Sequence, residues 1–474
     1  MYQYWLCLSL NSKLLLVLLF FSFPADASSK YQNLDLESCL SIALKNHQLL
    51  KISEASLLIA EAQYQQAMSA YWPQLSLDVS ARRADQDSTY SLQGVVDLPN
   101  DLSDALAKMG AKPINSIPLD LELKLLDRDL LTASINLTYP IFTGGKRHAV
   151  INQADKAIKI AKQGQRKSKL QVMRNVKRFY YAAQFALKME QLTSDTLERF
   201  KVIDEVTEQL YQNGSLNVKK TDYLRTKTTT ALTKVMLNEA EYARELAHQA
   251  LANAMGIDWS YEITLKNNSK PQKLNDSLQA LVESAHNFNP DIQQLSLAVL
   301  SAGEKINETR SGYYPKLGFQ ASSHKIWSDF DGGLTNKNNN EGWTIGVELQ
   351  WNLFDGFRTS GQVDQAKAAL VKLESQKVLL NQTTALQIKQ QFIRLKSAGK
   401  QIQNSMNAVD YAEQNRKLHI RAYREELVET KDVIEAQIIE AFSISSQYRS
   451  QHYLDMSLIE LEFLVGKNIK DLER

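Results

Sequence analysis

The sequence predicts a mainly α-helical protomer with a membrane β-barrel portion, built by internal duplication. Three observations predict it: a strand-to-helix junction occurs twice, four segments alternate apolar and polar residues, and two very long helical patterns run without proline. The first junction is Leu137-Thr138-Tyr139-Pro140-Ile141-Phe142-Thr143-Gly144-Gly145-Lys146-Arg147, and the second is Leu349-Gln350-Trp351-Asn352-Leu353-Phe354-Asp355-Gly356-Phe357-Arg358. They align at an offset of roughly 212, which holds from Gln153-Ala154 against Gln365-Ala366 to Tyr211 against Tyr423.

Upstream the repeat continues at an offset of roughly 242, where Tyr71-Trp72-Pro73-Gln74-Leu75 meets Tyr313-Tyr314-Pro315-Lys316-Leu317. The segment between the two strands is therefore longer in the first half. The organisation expected is a leader at 1–27, a first repeat at 28–256, a linker at 257–275, a second repeat at 276–466 and a tail at 467–474. Lys13 followed by the apolar run Leu14 to Phe23 and by Ala25-Asp26-Ala27 reads as a signal peptide cut after Ala27. Cys7 would leave with it, so the mature chain would hold Cys39 alone and no internal disulfide. Lys plus Arg (55) nearly balance Asp plus Glu (53), so overall charge gives no argument for nucleic acid.

The strands expected are about 75–84, 131–142, 316–324 and 343–354. In the clearest, Trp343, Ile345, Val347, Leu349, Trp351 and Leu353 alternate with Thr344, Gly346, Glu348, Gln350 and Asn352. Each is near the roughly 9–11 residues that a tilted membrane strand needs. Aromatics gather at the strand ends, as in interfacial girdles (Tyr71, Trp72, Tyr139, Phe142, Tyr313, Tyr314, Trp343, Trp351, Phe354). A sheet spanning lipid leaves no edge unpaired, and four strands cannot close. Three copies would give about twelve strands and a lumen, with Asp78, Arg82, Glu348 and Asn352 facing inward.

Helical patterns of about 65 residues run from about Lys146 to Tyr211 and from about Ser360 to Tyr423, roughly 100 Å each. Shorter ones cover about Leu36–Tyr71, Leu216–Met255, Asp276–Tyr313 and Leu427–Val465. Apolar and small residues recur at three and four, as in Val172, Val176, Phe179, Ala183, Ala186 and Leu187, which predicts close lateral packing. The trimer that closes the strands would supply those neighbours.

With the leader, the Tyr-Trp-Pro-Gln-Leu and Tyr-Tyr-Pro-Lys-Leu strand starts and the two glycine junctions, the chain resembles the TolC-like outer-membrane efflux protein family (outer membrane factors). The resemblance implies a homotrimer with a twelve-stranded β-barrel in the outer membrane and an α-helical barrel extending into the periplasm. It further implies a passive exit duct of a tripartite efflux or type I secretion system, with no catalysis and no cofactor. The partners implied are a periplasmic adaptor, an inner-membrane pump of RND, ABC or MFS type, and outer-membrane lipid. The competing reading is a periplasmic helical-hairpin adaptor or structural protein without transmembrane strands. The residues do not separate export of drugs, metals or proteins.

The resemblance places a periplasmic gate at the two helix turns, with Tyr211 and Gly214 at the first and Tyr423, Glu426, Asp432 and Glu435 at the second; the charge pattern adds Lys219 and Lys220 as gate candidates. A latching arginine frequent in the family is Val428 here. Pro73, Gly144, Gly145, Pro315 and Gly356 mark the strand-helix junctions. The first returning helix starts basic (Lys219, Lys220, Arg225, Lys227) and the second acidic (Glu425, Glu426, Glu429, Asp432, Glu435), so cross-pairing is expected to hold the tip shut. The first outer loop, about Asp85–Leu130, is large; alternation continues through Ile117, Leu119, Leu121, Leu123 and Leu125, and Asp101–Met109 resembles a short capped helix. The seven histidines show no metal-ligand spacing, and Gly144-Gly145-Lys146 lacks the first glycine and the Ser/Thr of a phosphate loop.

Overall fold

A computed structural model describes residues 31–110, 112, 116–266 and 277–467; the expected leader, most of the tail and the later part of the linker lie outside them. The first repeat runs α1 (Leu36–Asn46), α2 (Gln48–Met68), a 3-10 turn (Ser69–Tyr71), β1 (Gln74–Arg83), β2 (Ser88–Asp97), α3 (Asn100–Lys108), β3 (Ser116–Leu126), β4 (Asp129–Phe142), α4 (Lys146–Gln212) and α5 (Lys220–Met255). The second runs α6 (Leu278–Phe288), α7 (Pro290–Arg310), a 3-10 turn (Ser311–Tyr313), β5 (Lys316–Trp327), β6 (Glu341–Gln350), α8 (Arg358–Arg424) and α9 (Thr430–Val465). α4 and α8 are each 67 residues long. Contacts divide the described chain into two compact units that cut across the repeats, one from 31–48, 171–266 and 391–461, the other from 49–170, 277–390 and 462–467.

The second of these units carries an antiparallel sheet in the order β1-β4-β5-β6, with β1 and β6 as its edges. Period-2 alternation gives it two unlike faces. On one, the register aligns Leu75, Leu137, Ala321 and Ile345, then Leu77, Ile135, Ser323 and Trp343. Leu75, Leu77, Val79, Trp343, Ile345, Val347 and Leu349 are all 61–75% exposed, an apolar face bare in the protomer. It ends at Lys325 and Glu341, paired at 2.9 Å. The opposite face carries Ser76, Asp78, Asn136, Gln320 and Glu348; Asn136 donates to Asp78 at 2.8 Å and Gln320 to Glu348 at 2.7 Å.

Three sequence expectations need correction here. The fourth strand stops at Gln350, so Trp351 to Phe354 and the expected lumen residue Asn352 lie beyond it. Trp351 instead donates its indole N–H to the Tyr313 carbonyl at 3.1 Å, which turns the chain away from the sheet. The patterns at Leu36–Tyr71 and Asp276–Tyr313 each break once, at His47 and Asn289. Asn289 caps α7 from its side chain with Pro290 next, a combination that starts a new helix. Finally, the large outer loop holds β2 as well as the expected helix and β3, and β2 and β3 form a separate two-stranded hairpin.

In the first unit α1 packs its inward stripe on α5, burying Cys39, Ala43, Leu251, Ala252 and Met255. Burial pushes the Cys39 thiol up to about 12. Gly256 ends α5 at φ 70°, and a Cβ there would lie 3.0–3.1 Å from the Asn46–His47 backbone. At the start of the linker, Leu34 and Leu265 form a parallel bridge, and the Lys266 carbonyl accepts from buried Tyr180 at 3.2 Å. Between α4 and α9, Phe185 stacks on His452 at 4.8 Å. Nearby, burial raises the Asp455 carboxyl to about 6 against the opposing pull of Gln451 and Lys188.

Candidate functional site

At the strand-helix junctions the two repeats solve one problem with different residues. Trp72 and Tyr314 precede proline and are therefore extended, delivering the chain from each 3-10 turn into β1 and β5. At the other end, Gly144 (φ 64°) and Gly145 (φ 87°) reverse the chain into α4. A Cβ on Gly144 would sit 2.7 Å from the Ser311 carbonyl oxygen, so only glycine fits. Gly356 (φ 66°) matches Gly144, but the partner of Gly145 is Phe357, held left-handed at φ 64°. Thr143 accepts from the Arg147 N–H at 3.3 Å, and Asp355 accepts from the Thr359 N–H at 3.0 Å, equivalent caps on α4 and α8. Arg147 also bonds the Ala70 and Ile141 carbonyls beneath the Tyr71 ring, joining the 3-10 turn to β4. Exposed Tyr71, Trp72, Tyr313, Tyr314, Trp351, Phe354 and Phe357 collect at this level, where an aromatic belt meets lipid headgroups.

The helix turns lie within the first unit. After α4, Gly214 takes φ 74° while Ser215 N–H bonds the Leu210 carbonyl; after α8, Glu426 takes φ 56° while Leu427 N–H bonds the Ala422 carbonyl. Both are left-handed C-terminal turns, and the second makes a glutamate adopt the glycine conformation. The Glu426 carboxylate reaches across to the first turn, accepting from Ser215 Oγ at 2.9 Å and Asn217 Nδ2 at 3.4 Å. Tyr211 stacks on Tyr223 at 5.5 Å. Its repeat partner Tyr423 is buried, its hydroxyl 2.7 Å from Thr207 Oγ1 and 3.0 Å from Thr430 Oγ1. Val428 packs on the cluster of Phe200, Ile203, Tyr423, Val433 and Ile434, so this position serves the core.

The charges arrange themselves differently from simple cross-pairing. Lys227 turns to α4, bonding Glu208 at 3.0 Å and Asp204 at 3.1 Å, which raises its ammonium above the usual range. Arg225 lies 3.7 Å from Asp222 on its own helix. Asp432, expected to pair across the tip, accepts from the Glu429 N–H at 3.1 Å and so closes its own helix start, as Asp222 does for Lys219. Glu429 is held low first by its hydrogen bond to Lys431, with Lys219 and Arg225 adding to the field. The basic and acidic helix starts thus face one another, while their contact ion pairs are local. Lys220 and Glu435 are exposed.

A second charged centre was not foreseen. Glu440 of α9, 3% exposed, lies between Arg199 of α4 at 2.5 Å and Arg416 of α8 at 2.7 Å. The signal was available as a lone carboxylate in the stretch Ala436-Gln437-Ile438-Ile439-Glu440-Ala441-Phe442. Among the described residues no cluster of three or more metal-ligating side chains occurs, and no helix is long and apolar enough to cross a membrane.

A sheet with one lipid-suited face, open edges and an aromatic belt, running into 67-residue helices, defines the protomer of an outer-membrane channel. The chain matches the outer membrane efflux protein family over residues 39–257 and 281–466 and belongs to it. Its fold is similar to that of the outer membrane protein VceC from Vibrio cholerae (18% identity, TM-score 0.72, covering 92% of this chain and 96% of that one). It is also similar to the CmeC outer membrane channel of Campylobacter jejuni (17%, 0.71, 91% and 85%) and to the open state of the MtrE outer membrane channel of Neisseria gonorrhoeae (15%, 0.68, 92% and 89%). No curated protein matches. The fold class is that of a mainly helical, internally duplicated channel protomer that contributes four strands and long helices, and the family locates it in the outer membrane, extending into the periplasm.

Proposed function

We propose that this efflux channel is the gated exit duct of a tripartite export assembly, closed at the helix turns and opened when a periplasmic adaptor and an inner-membrane pump of the RND, ABC or MFS type engage it. The observation that carries the duct is the sheet, whose bare apolar face suits outer-membrane lipid and whose polar face suits a wet lumen. The chain itself supplies no energy-coupling site in this reading; transport work comes from the pump.

The observation that favours the gate is the link from Glu426 to Ser215 and Asn217, which joins the two turns, together with the field of Lys219 and Arg225 on Glu429. Each such exposed contact is worth only about 0–1 kcal/mol, so closure would rest on several contacts repeated in three copies. Single-channel conductance in planar bilayers, measured beside oligomer mass, tests both levels. A trimer of small conductance that rises on Lys219→Glu/Lys220→Glu is expected. A trimer whose conductance is unchanged by those substitutions overturns the gate, and a protein that neither trimerises nor conducts overturns the duct.

A further inference from the structure

Where β5 and β6 meet the helices, the second unit holds a cavity of about 620 Å³ whose charge is mostly of one sign. Lys316 and Gln350 form its strand wall. They pair in register on the face that carries Gln320 and Glu348, the polar face that suits a wet lumen. Lys305 and Glu308 come to the cavity from α7, Lys146 from the start of α4 and Arg358 from the start of α8. All four cations are exposed.

One of the four is already paired. Lys305 bonds Glu308 at 2.8 Å, and Gln153 donates to the same carboxylate at 2.9 Å. Burial opposes the charge of Glu308, yet its bonds to Lys305 and Gln153, with the fields of Lys305 and Lys146, hold it below the usual carboxylate range. Glu308 is the one carboxylate of the lining, and Lys146, Lys316 and Arg358 make no ion pair with any described residue. The fold does not require these charges. In the first repeat Gln74 stands at the position of Lys316 and Gln63 at that of Lys305, while the 3-10 turn and the entry into the strand are the same. The start of α8 is capped by Asp355 without them.

Cations gathered without counter-charges repel one another, and an anion that enters the cavity relieves the repulsion. Gln350, Gln362 and Gln365 in the lining offer amide donors to its oxygens. Repeated around a pore, Lys and Arg side chains favour anions, and low-dielectric walls focus their field across the lumen. We infer that this cavity is an anion-binding collar inside the duct, which takes small phosphate- or carboxylate-bearing solutes where the lumen passes from strands to helices and so favours anionic cargo. This deepens the duct reading above and rests on it.

Reversal potentials of the trimer in planar bilayers under a potassium chloride gradient read the collar. The expected result is a several-fold fall in the chloride-to-potassium permeability ratio for Lys316→Glu/Arg358→Glu, whereas Lys316→Arg/Arg358→Lys, which keeps both charges, holds the ratio. Inorganic tripolyphosphate added to either compartment should block the current, and its half-blocking concentration should rise several-fold in K316E/R358E. A conducting trimer whose permeability ratio and block ignore the charge reversal overturns the proposal. A ratio that follows the anionic phospholipid content of the bilayer, and not these substitutions, places the charges on lipid headgroups and overturns it as well. A protein that neither trimerises nor conducts fails the duct reading instead, so the two failures remain distinct.

Discussion

The Tyr423 hydroxyl and the Thr207 hydroxyl lie 2.7 Å apart, joining the end of α8 to α4 beneath the helix turns. Both residues are buried, and Thr430 supplies a second partner at 3.0 Å. Tyr423→Phe removes the shared hydroxyl and leaves Thr430 Oγ1 without it. The expected cost is about 1–2 kcal/mol per protomer, seen as a lower thermal midpoint. If this bond helps hold the turns closed, conductance rises in the same variant.

Glu440 makes a stronger case, because its charge is buried between two arginines. Replacing Glu440 by Gln leaves Arg199 and Arg416 facing each other without a counter-charge, at an expected cost of about 3–5 kcal/mol. Thermal unfolding of the trimer measures it. A shift as small as that of a surface substitution would mean that the triad is solvated in the assembly.

Phe357 is left-handed where its repeat partner is glycine. Phe357→Gly removes backbone strain and should stabilise the protein by about 1 kcal/mol, whereas Phe357→Val should destabilise it. The gain should appear in detergent and shrink in bilayers, where the exposed Phe354–Phe357 pair contributes to the aromatic belt.

Asp455 carries a pH dependence with a definite sign. Its carboxyl rises from 3.8 to about 6 on folding, so the folded chain holds a proton that the unfolded chain releases. The associated stability is fully present below the unfolded value and is lost as pH rises toward 6. Asp455→Asn should therefore gain about 1–3 kcal/mol at pH near 7.5 and nothing at pH near 3. Unfolding midpoints at those two pH values decide it.

Cys39 should resist alkylation. Its thiol is buried and raised to about 12, so maleimide at neutral pH should label it only as the protein unfolds. Labelling at the rate of a free thiol would mean that α1 separates from α5 in the native state.

The sheet and long helices were legible because period 2 and period 3.6 are distinct, and the repeat doubled each signal. β2 is weakly signalled because glycine occupies one position of its apolar face, Gly94, and thins the alternation. The break at Asn289-Pro290 was written locally and overlooked. The break at His47 was not: there Gly256, distant in sequence, presses on the backbone, and a helical period continues on both sides. At the turns, Gly214 declared its backbone conformation, while the reach of Glu426 to Ser215 is tertiary and has no sequence signature. Asp432 is legible as the third residue of a helix start, where its carboxylate closes that start rather than pairing across the tip.

The open edges of β1 and β6 also constrain how the protein is made. Every second residue of each ten-residue edge strand turns its backbone donor and acceptor to the open side, where lipid cannot satisfy them. A lone protomer therefore has no stable place in the bilayer, and a dimer keeps two raw edges. Insertion and assembly become one event, and the yield of membrane-embedded channel should rise more steeply than linearly with the concentration of newly exported chain.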